Sequence, residues 1–248
     1  MDHEIIYNIA HDDNNKKLGR WLQPAMKMLP QWYKDLKIEG NKGEMDGHVN
    51  VKTCVSFLYL WQNSYLMLCP CDIEIDLGPD GYEVHVEDDQ AVRFNSHTYE
   101  EDQPRNQMGS GFNPDWMNLK FETPISIMST EHRLDLIWQQ PFYWDQQQEI
   151  VTAPGVLPVL PNRSTGLNIN TFINKSRRRT IKIPKGFPVA SVYSASGKIK
   201  WIQEPDRNYF LATANTRNQR FEAKVYYKAT KTCPYHEPNT NDIKEHKL

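Results

Sequence analysis

The chain has 248 residues, of which 39% are hydrophobic and 11% aromatic, and its formal net charge at pH 7 is −2. This length fits one large domain better than two independent folds. The weak negative charge argues against a dedicated nucleic-acid binder, and no run approaches the ~18 apolar residues of a membrane-spanning helix. The first residues lack a basic segment followed by an apolar core, so we expect no signal peptide.

The cysteines are expected to be reduced, because no secretion signal precedes them. They are Cys54, Cys69, Cys71 and Cys233. Only Pro70 separates Cys69 from Cys71, whereas zinc sites usually space their thiols by about two to four residues and use a second pair. We therefore predict buried thiols at Cys69 and Cys71 and no metal site.

We expect a first strand at residues 4–10 and helical turns after it. Between residues 18 and 36, large apolar residues recur every three or four positions, as on one face of a helix. Pro24 and Pro30 prevent one continuous helix, but each fits a first helical turn. We expect two or three short turns here and another short helix at residues 51–62.

The strongest hairpin signal lies at residues 72–86. Ile73, Ile75 and Leu77 alternate with acidic residues, and a Gly-Pro-Asp-Gly turn follows them. The polar residues 95–114 are long for a plain connection, so we expect them to be functional or mobile. Further strands are predicted at residues 65–77, 91–94, 116–121, 124–129 and 134–138.

The chain is organised around residues 149–202. This stretch contains six short segments that are rich in β-branched or aromatic residues and are separated by Pro, Gly, Asn or Ser. This pattern predicts a meander of short strands. Within it, residues 167–173 should bury Leu167, Ile169 and Ile173 on one face. Residues 180–193 predict a hairpin with a five-residue loop, because Gly186 and its flanking prolines favour a turn.

The predicted fold is mainly β: a jelly-roll-like sandwich or barrel with short N-terminal helices and a C-terminal helix. Residues 1–205 form the β domain. Residues 206–248 form the C-terminal part, with a helix at residues 206–230 and an extended polar tail from residue 233.

The candidate binding features are a basic run at residues 175–179, extended by Lys182 and Lys185, and an aromatic loop at residues 141–145. Three consecutive arginines could hold phosphate or carboxylate groups, or could meet an acidic surface on a partner or a second copy. The alternative is a solvated strand connection. The candidate binding residues are Arg177, Arg178, Arg179, Lys182, Phe142, Tyr143 and Trp144.

A metal site is the competing hypothesis. Jelly-roll oxygenases bind iron through two His and one carboxylate. His85 and Glu87 have the required spacing, and His97 or His132 could be the distal ligand. Such matches are common in a chain with eight His, so solvated, outward-facing side chains are the favoured explanation. We find no phosphate-binding loop, nucleophile motif or dinucleotide fingerprint, so we predict no catalytic residue, metal or cofactor.

Five motifs follow one another in the chain. They are Leu-Pro-Gln-Trp-Tyr-Lys at 29–34, Val-Lys-Thr-Cys-Val-Ser-Phe at 51–57, Leu-Cys-Pro-Cys-Asp-Ile-Glu-Ile at 68–75, Phe-Glu-Thr-Pro at 121–124 and Ile-Pro-Lys-Gly-Phe-Pro-Val-Ala at 183–190. In this order they resemble a family of uncharacterised proteins from contractile-tailed phages, especially those of marine cyanobacteria. Family members have Cys-Pro-Pro-Phe in place of residues 54–57 and Ala-Gln in place of residues 190–191. The resemblance implies a phage origin and a β-rich fold, and it carries no activity.

These observations favour a non-enzymatic phage protein with a structural or binding role in the virion or its assembly. The expected partners are other virion or assembly proteins or further copies of the chain, and not a membrane. We expect the protein in the host cytoplasm during infection and, as a further possibility, in the virion. The alternatives are a metal-dependent oxygenase and an intracellular effector that binds a host protein or a nucleotide.

Overall fold

The computed structural model describes residues 2–9, 18–36, 51–78, 81–89, 91–96, 115–141, 149–161 and 163–204. In these residues the fold is mainly β, as predicted, with three sheets and few helices, and it is compatible with a sandwich. The predicted C-terminal helix and tail lie outside the described residues, as does most of the polar segment 95–114.

Fourteen strands account for most of the described structure. They are β1 (Asp2–Ile9), β2 (Leu22–Pro24), β3 (Tyr65–Leu68), β4 (Ile73–Gly78), β5 (Gly81–Val86), β6 (Arg93–Ser96), β7 (Trp116–Ser129), β8 (Leu134–Gln139), β9 (Ile150–Thr152), β10 (Gly155–Val159), β11 (Thr165–Asn174), β12 (Arg179–Ile183), β13 (Pro188–Ser194) and β14 (Lys198–Gln203).

The strands form sheets of six, five and three strands. The six-stranded sheet has the order β14-β1-β7-β11-β9, with β6 also paired to β7. The five-stranded sheet has the order β10-β8-β13-β3-β2, and the three-stranded sheet has the order β12-β4-β5. Each strand predicted within residues 149–202 exists, but the predicted meander is wrong because these strands are divided among all three sheets.

Alternating side chains build the main core. Ile5, Tyr7 and Ile9 of β1 are buried, and the residues between them are partly exposed. In β11, Leu167 and Ile169 are fully buried on the face that the sequence predicts. Burying one such large side chain stabilises the fold by about 1.5–3 kcal/mol, so this two-residue period sets which face of each strand points inward.

The prediction of two strands at residues 116–121 and 124–129 is wrong, because both segments belong to the single strand β7. It runs unbroken through Pro124, which has no N–H to donate to a neighbouring strand. The register with β11 shifts at this point. Thr123 and Asn168 compensate for the break: the Thr123 hydroxyl donates to the Leu167 carbonyl (2.7 Å), and the Thr123 amide donates to the Asn168 side chain (3.3 Å).

The two predicted hairpins have different outcomes. The hairpin at residues 72–86 is confirmed by the antiparallel β4–β5 pair, in which Ile73 faces Val86. The hairpin at residues 180–193 is wrong: β12 pairs with β4, whereas β13 pairs with β3 and β8. The chain does turn at the predicted place, but there it leaves the three-stranded sheet and enters the five-stranded sheet.

The predicted strands at residues 65–77 and 91–94 also need correction. The first is divided into β3 and β4, which lie in different sheets because the chain bends at residues 69–72. The second is β6 at Arg93–Ser96, and it pairs with β7 in the six-stranded sheet. It therefore does not extend the β4–β5 hairpin.

The predicted short helical turns are confirmed, although part of the segment is the short strand β2. Three 3₁₀ turns occur at Leu18–Arg20, Ala25–Met28 and Val51–Thr53, and the α-helices are α1 (Gln31–Asp35) and α2 (Val55–Asn63). Tyr33 stacks on Phe57 and Trp61 in a second, smaller apolar cluster. Among the described residues, no helix has the length and apolar character needed to cross a bilayer.

Candidate functional site

The predicted basic run borders a cavity of about 960 Å³, which we call the arginine groove. Its wall includes Trp116, Gln140, Val151, Arg177 and Arg179. Trp116 begins β7, and it faces Asn174 at the end of β11 in the strand register. The pairing of β7 with β11 therefore brings an aromatic side chain next to the basic connection.

A local turn carries the chain from β11 to β12 at the edge of the groove. The Asn174 side-chain oxygen accepts hydrogen bonds from the backbone amide (2.9 Å) and the hydroxyl of Ser176. Such an Asx turn reverses the chain without a glycine. The Lys175 amide also donates to the Asp115 carbonyl (2.7 Å), which fixes the turn against the start of β7.

Arg179 is the anchored arginine of the groove. Its Nη1 lies 3.5 Å from the Glu149 carboxylate, and its Nη2 donates to the Asn174 carbonyl (3.2 Å). Its Nε is buried and has no hydrogen-bond partner among the described residues. Because the pair with Glu149 is partly exposed, it contributes at most about 1 kcal/mol to stability, but it does orient the guanidinium.

The basic run does not form one patch. Arg177 lines the arginine groove, Arg178 lines a second cavity of about 650 Å³ beside Asp76 and Glu83, and Arg179 lines both. Lys182 lies farther along β12, where its Nζ is 2.6 Å from the Glu74 carboxylate. Its hydrogen bond with Glu74 raises the pKa of Lys182. The acidic residues of β4 therefore meet part of the basic run within the same chain.

The aromatic loop touches the groove through its first residue. Pro141 lines the arginine groove, next to Gln140. The Gln140 side chain accepts a hydrogen bond from the Thr152 amide (2.6 Å), which blocks part of the outer edge of β9. The predicted binding residues Phe142, Tyr143 and Trp144 lie outside the described residues.

The predicted burial of Cys69 and Cys71 is confirmed. Burial raises the pKa of the Cys69 thiol to about 12, and it also raises the pKa of Cys71. Their segment is a bend, and both side chains belong to the main core cluster. Cys54 is exposed before α2.

The histidines of the oxygenase hypothesis lie in different surroundings. The His85 Nε2 is 3.4 Å from Asp76 and 3.8 Å from Glu83, on the exposed face of the three-stranded sheet. The Glu87 carboxylate accepts from the Asp72 amide (3.3 Å). His132 packs against His3, and His97 is outside the described residues. Within the described ranges, no three His, Cys, Asp or Glu side chains form a group that could hold a metal ion.

Sequence reasoning did not identify Trp116, Glu149 or Gln140 as groove residues. Trp116 and Arg179 come together only because β7 and β11 pair over a long sequence distance, and no local pattern encodes that pairing. His3 was also missed, although a signal was present: it shares the two-residue period of Ile5 and Tyr7, which places it on the core face.

Comparison with known proteins gives no further assignment. No protein-family model, no curated protein and no solved structure matches this chain.

Proposed function

We propose that this chain is a non-enzymatic binding protein of a contractile-tailed phage, made in the host cytoplasm and acting in the particle or its assembly. The phage context rests on the five ordered motifs between residues 29 and 190. The binding role rests on the arginine groove. Its proposed occupant is a carboxylate-bearing segment of another virion or assembly protein.

The composition of the arginine groove is the observation that carries this proposal. Arg177 and Arg179 supply positive charge, while Trp116, Ile150 and Val151 supply apolar surface. An arginine guanidinium beside an aromatic residue is a common pairing at protein interfaces, where it binds carboxylates through paired hydrogen bonds. Glu149 and Asn174 already orient Arg179, so less side-chain conformational entropy would be lost when a partner binds it.

The hydroxyl groups at the groove support binding over catalysis. The Thr152 hydroxyl donates to the Val189 carbonyl, and the Ser176 hydroxyl donates to the Asn174 side chain. A nucleophile needs a neighbouring base to take its proton. Glu149 is the one carboxylate among the described lining residues, and it is paired with Arg179. The described side chains therefore supply no activated nucleophile.

A charge-reversal pair tests this role. Phage carrying Arg177→Glu is compared with phage carrying Arg178→Glu, which makes the same charge change one residue away. Both positions are exposed, so neither change should affect folding. The readout is the number of copies of the chain per purified particle and per assembly intermediate, measured by quantitative mass spectrometry.

We expect Arg177→Glu to lower the copy number at least tenfold and Arg178→Glu to leave it within twofold of wild type. Equal losses for both variants would indicate a general charge effect and would contradict a role for the groove. Unchanged incorporation of Arg177→Glu would contradict it as well.

A further inference from the structure

A second, smaller cavity lies at the start of β1, away from the arginine groove. Its volume is about 260 Å³, and His3, Ser129, His132 and Lys200 are among the residues that line it. His3 belongs to the core face of β1, and His132 lies in the bend after β7. The pairing of β1 with β7 brings the two imidazoles together.

His3 is a buried polar side chain whose ring nitrogens lack hydrogen-bond partners. It is 6% exposed, and neither Nδ1 nor Nε2 has a partner among the described residues. A neutral imidazole carries one N–H donor and one lone-pair acceptor. Leaving such groups unsatisfied in a buried position is destabilising. A ligand in the cavity that accepts the imidazole lone pair would recover part of this cost.

The charges around the cavity favour a cation. Asp2, Glu4 and Glu131 line it, against the single cation Lys200 among its described lining residues. Lys200 is already paired with Glu4, with 2.8 Å between Nζ and the carboxylate. The remaining carboxylates would repel an anion and attract a positive ion.

The spacing of the two imidazoles fits a shared metal ion. Their ring centroids are 5.3 Å apart, with an interplanar angle of 71°. In a tetrahedral zinc site the metal–nitrogen distance is about 2.0–2.1 Å, which places each ring centre about 3.2 Å from the metal and two such centres about 5.2 Å apart. The observed separation of the two ring centroids is close to this value.

We propose that His3 and His132 bind a divalent ion of the zinc class, for which neutral imidazole is a preferred ligand. In the described part of the chain, no third His, Cys, Asp or Glu side chain is already placed to hold the ion together with these two histidines. The remaining coordination positions therefore belong to water or to a cavity carboxylate such as Glu131, which adjoins His132. This site is independent of the arginine groove.

The test is a titration of the untagged full-length protein with zinc, in which calorimetry measures the binding. The variant is His132→Ala, because His132 is exposed and its loss should not disturb folding. The matched control is His85→Ala, which removes another exposed histidine that lies beside Asp76 and Glu83. Cobalt is the second probe, because its visible absorption distinguishes tetrahedral from octahedral coordination.

We expect one zinc ion per wild-type chain, at least tenfold weaker zinc binding by His132→Ala, and unchanged binding by His85→Ala. The cobalt form of the wild type should show tetrahedral bands that His132→Ala lacks. Equal zinc affinity in wild type and His132→Ala would overturn the proposal, as would a loss confined to His85→Ala. In that event His3 is a core residue without a ligand.

Discussion

The backbone amide of Cys69 donates a hydrogen bond of 2.7 Å to the carbonyl of Phe187, and the Cys69 carbonyl accepts one of 2.8 Å from Gly186. These bonds join the two bends at which the chain crosses between the five-stranded and three-stranded sheets. Leu68 faces Pro188 before the bends, and Ile73 faces Ile183 after them. The two segments therefore form one bent antiparallel ribbon that links the sheets.

Gly186→Ala should destabilise this ribbon. Gly186 has a φ of +83°, a left-handed conformation that costs an L-residue about 1–2 kcal/mol. In the described part of the chain no other atom lies within 4 Å of an added Cβ, so the expected loss comes from backbone strain. We expect the free energy of unfolding in urea to fall by about 1–2 kcal/mol.

The control for this substitution is Gly78→Ala, at the end of β4. Its φ is not in the left-handed region, and among the described residues an added Cβ would meet the Gly81 carbonyl alone, at 3.9 Å. We expect a change within about 0.5 kcal/mol. If Gly186→Ala were as stable as Gly78→Ala, the bend at residues 184–187 would have another conformation in solution.

Thr123→Val should destabilise the six-stranded sheet. The Thr123 hydroxyl donates to the Leu167 carbonyl (2.7 Å) and accepts from the Ile125 amide (3.3 Å), beside Pro124. Valine has the same shape but leaves both backbone groups without this partner. We expect a loss of about 1–3 kcal/mol, measured by urea unfolding.

Thr180→Val is the matched control, because Thr180 is exposed on β12 and water can replace the bond from its hydroxyl to Asp76. We expect a change within about 0.5 kcal/mol. Equal stability of Thr123→Val and wild type would show that the hydroxyl does not compensate for Pro124.

The cysteines should react with iodoacetamide at very different rates. The thiolate is the reactive form, and Cys69 and Cys71 are buried with raised pKa values, whereas Cys54 is exposed. At pH 8 we expect alkylation of Cys54 in the folded protein, and of Cys69 and Cys71 only after unfolding in urea. Peptide mass spectrometry resolves the three sites. Rapid labelling of Cys69 in the folded state would be inconsistent with its burial.

Because of Cys69, the free energy of unfolding should also fall as the pH rises. The unfolded thiol ionises near pH ~8.5, whereas burial raises its pKa in the folded protein to about 12. Between these values the unfolded state loses the proton first, so rising pH favours unfolding. From pH 8 to 10 we expect a steeper loss of unfolding free energy in wild type than in Cys69→Ala. The extra slope should be at most about 1.4 kcal/mol per pH unit, and parallel slopes would contradict it.

Local patterns predicted which segments are strands, but not which strands pair. The alternation of Ile73, Ile75 and Leu77 with acidic residues, followed by a strong turn, was sufficient for the β4–β5 hairpin. The segments at residues 180–193 have an equally good turn, yet β12 pairs with β4 and β13 with β3, both more than 100 positions earlier. The second partner of β13 is β8, which is 52–58 positions earlier. Side-chain periodicity sets the buried face and leaves the partner open.

The arginine groove was partly predictable for the same reason. Three consecutive arginines are visible in the sequence, and Arg177 and Arg179 do border a cavity. Arg178 lines the second cavity, which Arg179 also borders, so the three arginines are divided between two cavities. The contribution of Trp116 depends on its register opposite Asn174, which is fixed by long-range pairing.

The most direct test of the proposed function is the copy number of the native chain in particles of the contractile-tailed phage that is proposed to encode it. Purified particles and assembly intermediates are washed in high salt and analysed by quantitative mass spectrometry. We predict a fixed number of copies in one of these fractions. A chain present in the infected-cell lysate but absent from particles and from every intermediate would contradict a role in the virion or its assembly.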